Sequence, residues 1–366
     1  VIKLLVVDDS ALMRRVLGTL FGAQGDFEVA FARDGAEALA QLAAFAPDVI
    51  TLDVQMPGMG GLACLDRIML ERPCPVVMVS SLTEAGAETT LEALRLGAVD
   101  FVQKPAGTVS LEMQTLGPVL VGRVRAAAAA RPRRSLRLSE RVRLRSGIVA
   151  RKLPATPPKP AAEARPAAWR GPVKVAPGAV VLVGTSTGGP PALDALLGPL
   201  PADFPWPILV AQHMPASFTG PLARRLDRLC ALDVVEATHP MPIVAGRVYI
   251  GRGDADIVVA QREEGAVVMA APALAEHRWH PSVDRLVVTA MQHLDPGRLI
   301  GVLMTGMGHD GAAAMTQLQA AGGRTIAEAE ETAVVWGMPG ELVRAGGAGT
   351  VARLEDIAGV LLDWAS

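Results

Sequence analysis

The chain has 366 residues, half of them hydrophobic but only 4% aromatic, so it is long enough for two domains whose cores rest mainly on Ala, Leu and Val. A formal net charge of −2 singles out no class of partner, and the three cysteines, Cys64, Cys74 and Cys230, are spaced unsuitably for a zinc cluster and read as reduced thiols. No basic leader precedes an apolar run and no uninterrupted apolar stretch reaches about 18 residues, which argues against export or membrane insertion and makes the cytoplasm the expected location.

Taken in order, the first part alternates strand and helix patterns. Ile2–Val7 is an apolar run ending at Asp8-Asp9, and Ser10 is placed to cap a helix running to about Phe21. Phe27–Ala32 suits a strand and Gly35–Ala44 a helix. Val49–Leu52 reads as a buried strand ending at Asp53, Pro75–Val79 as one ending at Ser80-Ser81, and Ala98–Val102 as one ending at Lys104-Pro105. Apolar strands between helical periods predict a mostly parallel sheet, with polar residues just past the strand ends, where open α/β sheets place their sites.

Residues 126–178 differ in kind. They hold ten arginines, three lysines and two acids, a net charge of +11, and Pro154–Pro160 alone contains four prolines. This composition predicts an irregular linker. With Trp169 as the one aromatic residue among the arginines, it reads as a solubilising segment more readily than as a nucleic-acid surface.

From Ala179 the strand and helix pattern resumes. Val180–Val183 leads into Gly184-Thr185-Ser186-Thr187-Gly188-Gly189, with a helix expected over Pro191–Leu197. Trp206–Ala211 reads as a strand ending at Gln212-His213. Val248–Ile250, Asp256–Val259 and Val267–Met269 are short strand candidates. Leu299–Met304 is a strong one, ending at Thr305-Gly306-Met307-Gly308-His309-Asp310. Arg324–Ala327 and Val334–Trp336 are weaker candidates, and the last helix is expected over Leu354–Trp364.

Two constellations emerge at these strand ends. In the first, Asp8 and Asp9 suit an oxygen-loving divalent cation, Asp53 a phosphoryl acceptor, and Ser80 and Lys104 a hydroxyl and a cation for the product's phosphoryl oxygens. In the second, Gly184–Gly188 has G-x-S-x-G spacing at a strand-to-helix turn, which exposes a nucleophilic serine but also describes turns that cradle phosphate. His213 and Asp310, at two further strand ends, suit a general base and the carboxylate that orients it. On spacing His213 is favoured over His239, His277, His280, His293 and His309, although His309 lies closest in sequence to Asp310.

Residues 1–124 resemble a response-regulator receiver domain, through Leu5-Val6-Val7-Asp8-Asp9-Ser10, Leu52-Asp53-Val54-Gln55-Met56-Pro57 and Lys104-Pro105. The resemblance assigns Asp8, Asp9 and Asp53 to magnesium, Asp53 to phosphorylation, and Ser80, Phe101 and Lys104 to sensing it. Gly60, where the family often has aspartate, departs from the pattern outside the acidic pocket. Residues 179–350 resemble the catalytic domain of the chemotaxis-type protein-glutamate methylesterases, through Gly184–Pro190, Gln212-His213-Met214-Pro215, His280-Pro281-Ser282-Val283-Asp284, Thr305–Gly311 and Gly337-Met338-Pro339. It implies a triad of Ser186, His213 and Asp310, with the Met307 amide at the oxyanion. Three departures stand beside it: Gly251-Arg252 where Ala-Pro is usual, Asp256 where histidine is usual, and Ala329 where aspartate is usual.

The resulting expectation is two doubly wound, mostly parallel three-layer α/β domains joined by a basic linker: a receiver over 1–124, the linker over 125–178 and a serine methylesterase over 179–366. The resemblance implies phosphorylation-activated hydrolysis of glutamate methyl esters on chemoreceptor-type proteins, with protein-glutamine deamidation. Magnesium serves the receiver and no cofactor serves the hydrolysis. The implied partners are methylated receptors and a sensor histidine kinase, with no nucleic acid and no membrane insertion. A receiver-regulated receptor-binding protein with weak or lost catalysis is the alternative.

Overall fold

The structure, a computed structural model, describes residues 1–80, 84–104, 109–130 and 178–366. The chain divides into two compact units, Val1–Arg151 and Lys152–Ser366. Residues 131–177 of the expected basic linker lie outside the described residues.

The first unit holds β1 (Ile2–Val7), α1 (Ala11–Gly22), β2 (Phe27–Ala32), α2 (Gly35–Ala44), β3 (Val49–Asp53), α3 (Gly61–Glu71), β4 (Val76–Ser80), α4 (Glu84–Leu96), β5 (Asp100–Gln103) and α5 (Val109–Ala129). Helix α5 runs past residue 124, into the span expected to be linker, because its last turns are an alanine run with high helix propensity. The five strands are all parallel in the order β2-β1-β3-β4-β5. Every residue of β3 and β4 is buried, as expected for strands covered on both faces. In α1, Ser10 accepts from the Met13 N–H, and Met13, Leu17 and Phe21, one turn apart, form the buried stripe. The strand order reverses between β1 and β3, so the residues just past those two strands share one crevice.

The second unit contains β6 (Val180–Thr185), α6 (Gly189–Leu197), β7 (Ile208–Gln212), α7 (Ala216–Leu229), β8 (Asp233–Ala237), β9 (Met241–Pro242), β10 (Arg247–Gly251), β11 (Ala255–Arg262) and β12 (Gly265–Pro272). It continues with α8 (Val283–His293), β13 (Leu299–Leu303), α9 (Ala312–Ala320), β14 (Arg324–Glu328), α10 (Met338–Arg344), β15 (Thr350–Ala352) and α11 (Leu354–Ala365). Seven strands form a parallel sheet in the order β15-β14-β13-β6-β7-β10-β8. The order reverses at β6, which lies between β13 and β7 and places three strand ends around one crevice.

Several elements differ from the sequence expectation. Val334–Trp336 forms no strand; Trp336 makes only an isolated bridge to Gly306, and its ring N–H donates to the Glu328 carbonyl at 2.9 Å. β8 and β15 escape sequence reading because they are edge strands with half-exposed residues and lack a continuous apolar run. β11 and β12 form an antiparallel hairpin, with Arg262 opposite Gly265, and build a small separate sheet with β9. Two residues suffice to join antiparallel strands, whereas a parallel pair needs a crossover.

Candidate active site and phosphoacceptor pocket

In the second unit, Thr185 and Gln212 are register partners in the β6–β7 pair, and the His213 N–H donates to the Thr185 carbonyl at 3.0 Å. Ser186 and His213 are therefore the next residues on two hydrogen-bonded strands, about 5 Å apart in backbone. On the other side, the Ser186 N–H donates to the Thr305 carbonyl at 3.0 Å, extending the β6–β13 ladder by one step. Gly188, at φ 78°, turns the chain from Ser186 into α6. Ser186 and His213 are both buried, at 9% and 5% exposure.

His213 Nε2 lies 2.8 Å from Asp310 Oδ2. The ring nitrogen left to face a nucleophile is Nδ1, which is buried and has no hydrogen-bond partner among the described residues. Asp310 also accepts from the Ser282 hydroxyl at 3.1 Å and from the N–H groups of Val283 and Asp284 at 2.7 and 3.0 Å. These are the N-cap and first turn of α8, whose unpaired N–H groups and positive dipole end favour an anion. Burial alone pushes the Asp310 carboxyl up; the His213 bond and charge, with the Asp284 and Val283 N–H groups, outweigh it and hold it at about 2.

Met307 is half-buried on the turn after β13, and its N–H donates to no other group among the described residues. The Ser186 N–H, by contrast, donates to the Thr305 carbonyl. Gly308 adopts φ +93°, and a Cβ there would meet the Trp279 ring at 2.8 Å. Trp279 lies nearly parallel to His213, ring centres 5.9 Å apart, and meets His309 edge-on. The exposed His309 thus packs on Trp279, and no bond joins it to Asp310 among the described residues. His280 bonds Asp256, His239 lies beside Thr238, and His277 beside Glu276.

Sequence reasoning gave no role to Trp279 or to Ser282, Val283 and Asp284. Ser282 followed by an apolar period is a helix-start signal, but what that helix end faces is not written locally. The same holds for Gln212. Its side-chain amide donates to the carbonyls of Ser186 and His213 at 3.0 and 3.1 Å, and its carbonyl accepts from the Thr185 hydroxyl, so one buried carboxamide ties the two loops together. Of the departures, Arg252 is exposed and lines a cleft of about 390 Å³ with Thr238, Asp254 and Ala216. Asp256 and Ala329 are buried.

In the first unit, Asp8, Asp9 and Asp53 each place a carboxylate oxygen within 4.8 Å of the others. Lys104 Nζ lies 2.6 Å from Asp53 Oδ2 and 3.0 Å from Asp8 Oδ2, and Asp53 Oδ1 accepts from the Gln55 N–H at 3.1 Å. Burial pushes the Asp53 carboxyl up against the opposing pull of Lys104. Burial pulls Lys104 down, but its bonds and charge contact with Asp53 and Asp8 leave it raised. The Ser80 hydroxyl, at the end of β4, contacts the Gly86 carbonyl at 3.4 Å. Phe101 is buried, with the Arg123 guanidinium 5.9 Å from its ring centre. Gly60 is the N-cap of α3 and supplies no side-chain cap bond. The buried cysteines accord with structural thiols, and burial pushes Cys64 and Cys74 up to about 11 and about 12. No helix among the described residues is long and apolar enough to cross a membrane.

Comparison with known proteins matches residues 181–361 to the CheB methylesterase family and residues 4–114 to the response regulator receiver domain. The chain is 57% identical over 363 residues to protein-glutamate methylesterase/protein-glutamine glutaminase 2 of Rhodopseudomonas palustris, covering 99% of this chain and 98% of that protein. It is 53% identical over 367 residues to protein-glutamate methylesterase/protein-glutamine glutaminase 3 of Rhodospirillum rubrum, covering 100% and 96%. To the corresponding enzyme 1 of Oleidesulfovibrio alaskensis it is 42% identical over 368 residues, covering 99% of each.

Proposed function

The chain belongs to the CheB family of receiver-linked protein-glutamate methylesterases/protein-glutamine glutaminases, and from that premise we propose that it hydrolyses glutamate methyl esters on chemoreceptor-type proteins, and deamidates glutamines there, under control of receiver phosphorylation. The observation that carries the catalytic part is the His213–Asp310 contact at 2.8 Å, on the strand adjacent to Ser186 at the switch point of the sheet.

Ser186 Oγ attacks the side-chain carbonyl while His213 takes its proton through Nδ1, the nitrogen that Asp310 leaves open. Asp310 fixes the tautomer and stabilises the imidazolium. The Met307 N–H faces the developing oxyanion. His213 returns the proton to the leaving group, methanol from an ester or ammonia from an amide. Water, activated by the same imidazole, then releases glutamate from the acyl-enzyme. These steps assign no proton or bond to Asp256 or Ala329, the two buried departures from the family pattern.

The receiver residues fit a magnesium ion. Three carboxylates converge, and Asp8 Oδ2 is buried with an ion-pair contact to Lys104 but no well-directed hydrogen bond. Asp8, Asp9 and Asp53 would hold it, and when bound it supplies positive charge to the phosphoryl group during transfer. Asp53 is the acceptor and Lys104 is placed to pair with the product, while Ser80 and Phe101 sense it. A sensor histidine kinase is the phosphodonor, which places the protein in the cytoplasm with the kinase's ATP. Methanol release from methylated receptor fragments, with and without a small phosphodonor, tests the proposal. Receptor binding without methanol release would establish the non-catalytic alternative instead.

A further inference from the structure

Asp256 stands outside the Ser186, His213 and Asp310 set, yet its side chain is fully buried. Its Oδ1 accepts from His280 Nδ1 at 2.8 Å and from the Ser282 N–H at 2.7 Å, while its Oδ2 accepts from Arg285 Nη1 at 2.7 Å. A buried carboxylate survives only when paired and hydrogen-bonded in this way. Burial pushes its carboxyl up, but the His280, Ser282 and Arg285 bonds outweigh that and hold it below the ordinary range. All three donors belong to one short stretch that enters α8.

That stretch serves the active site at both ends. Ser282, Val283 and Asp284 donate to Asp310. Trp279, next to His280, lies over the His213 ring. The anchor is tied to both strands of the hairpin: Asp256 lies on β11, and Arg285 Nη1 also donates to the Pro272 carbonyl on β12 at 2.6 Å. We infer that Asp256 is a positioning residue for the His213–Asp310 pair, holding 279–285 so that the start of α8 seats Asp310 while Trp279 covers His213. This role requires a carboxylate. A carboxamide offers one oxygen for three donors and turns an NH₂ toward His280 or Arg285.

The inference rests on the esterase reading, so Ser186→Ala is run beside it in the full chain, with methanol release from methylated receptor fragments as the assay. Asp256→Asn is expected to lower kcat about tenfold or more with KM within about twofold, because a displaced dyad weakens the transition state more than substrate binding. His280→Ala, at a half-buried position, tests the same contact should Asp256→Asn fail to fold. It is expected to lose kcat in the same sense. His280→Asn restores a donor near the Nδ1 position and is expected to recover most of the loss. The inference is overturned if kcat in Asp256→Asn and His280→Ala stays within about twofold of wild type. It is also overturned if the change falls on KM, or if His280→Asn is no better than His280→Ala. With Ser186→Ala inactive, any of these results removes the positioning role alone; an active Ser186→Ala overturns the esterase reading and this inference with it.

Discussion

The Val283 N–H donates to Asp310 Oδ2 at 2.7 Å, so the oxygen that faces His213 is seated on the first turn of a helix. The acid of the dyad is thereby kept ionised by the backbone as well as by the histidine. Substitution can separate this seating from the chemistry it supports.

Replacing Ser186 with alanine is expected to lower kcat on methylated receptor by on the order of 10³-fold or more, since the nucleophile and its base act as one unit. Thermal unfolding should be nearly unchanged, because a single hydroxyl is lost. Methanol release and a melting curve on the same preparation check both halves; retained turnover would remove Ser186 from its role.

The Asp310 carboxyl is held at about 2, below its ordinary 3.8, so its contribution to stability is fully present above about pH 4 and lost as pH falls through about 2. The loss should be on the order of 2 kcal/mol. Asp284, pushed up by burial and by the Asp310 charge, contributes in the opposite sense, its ionisation lowering stability as pH rises. Asp310→Asn should flatten the acid loss between about pH 4 and 2 and cut kcat by on the order of 10⁴-fold. Denaturant melts across that range measure the first, and turnover at neutral pH the second.

Magnesium is expected to raise the unfolding midpoint of the receiver unit, by about 2.7 kcal/mol of stability at 100 times its Kd. Asp8→Asn should remove this dependence, because it neutralises a buried member of the three-carboxylate group. Calorimetry over a magnesium series measures it, and an unchanged response in the variant would exclude Asp8 as a ligand.

Phosphodonor should raise methanol release by the full chain, but not by Asp53→Asn. A fragment beginning at Pro177 should exceed the unphosphorylated full chain and ignore the phosphodonor. If both the deletion and the phosphodonor leave the rate unchanged, the receiver is a targeting module, and the esterase stands without its switch.

The α/β class, the apolar cores of the main strands and the polar residues at their C-terminal ends were all legible in the linear chain. Each is a local property: a buried parallel strand must be apolar along its length, and its chemistry can begin only where it leaves the sheet. Ser186, His213, Asp53 and Lys104 stand out in the sequence as candidates for that reason. The edge strands β8 and β15 were not, because half-exposed residues erase the pattern. Which partner each group takes was decided by the tertiary structure alone. His213 and Asp310 lie 97 residues apart, and Asp256 meets its donors across 24 to 29, so sequence spacing carries no information on those distances. His309, adjacent to Asp310 in the chain, packs against Trp279 instead. The strand order that reverses at β6 brings Ser186, His213 and Asp310 to one crevice, and the start of α8 supplies N–H groups that have no partner within their own helix.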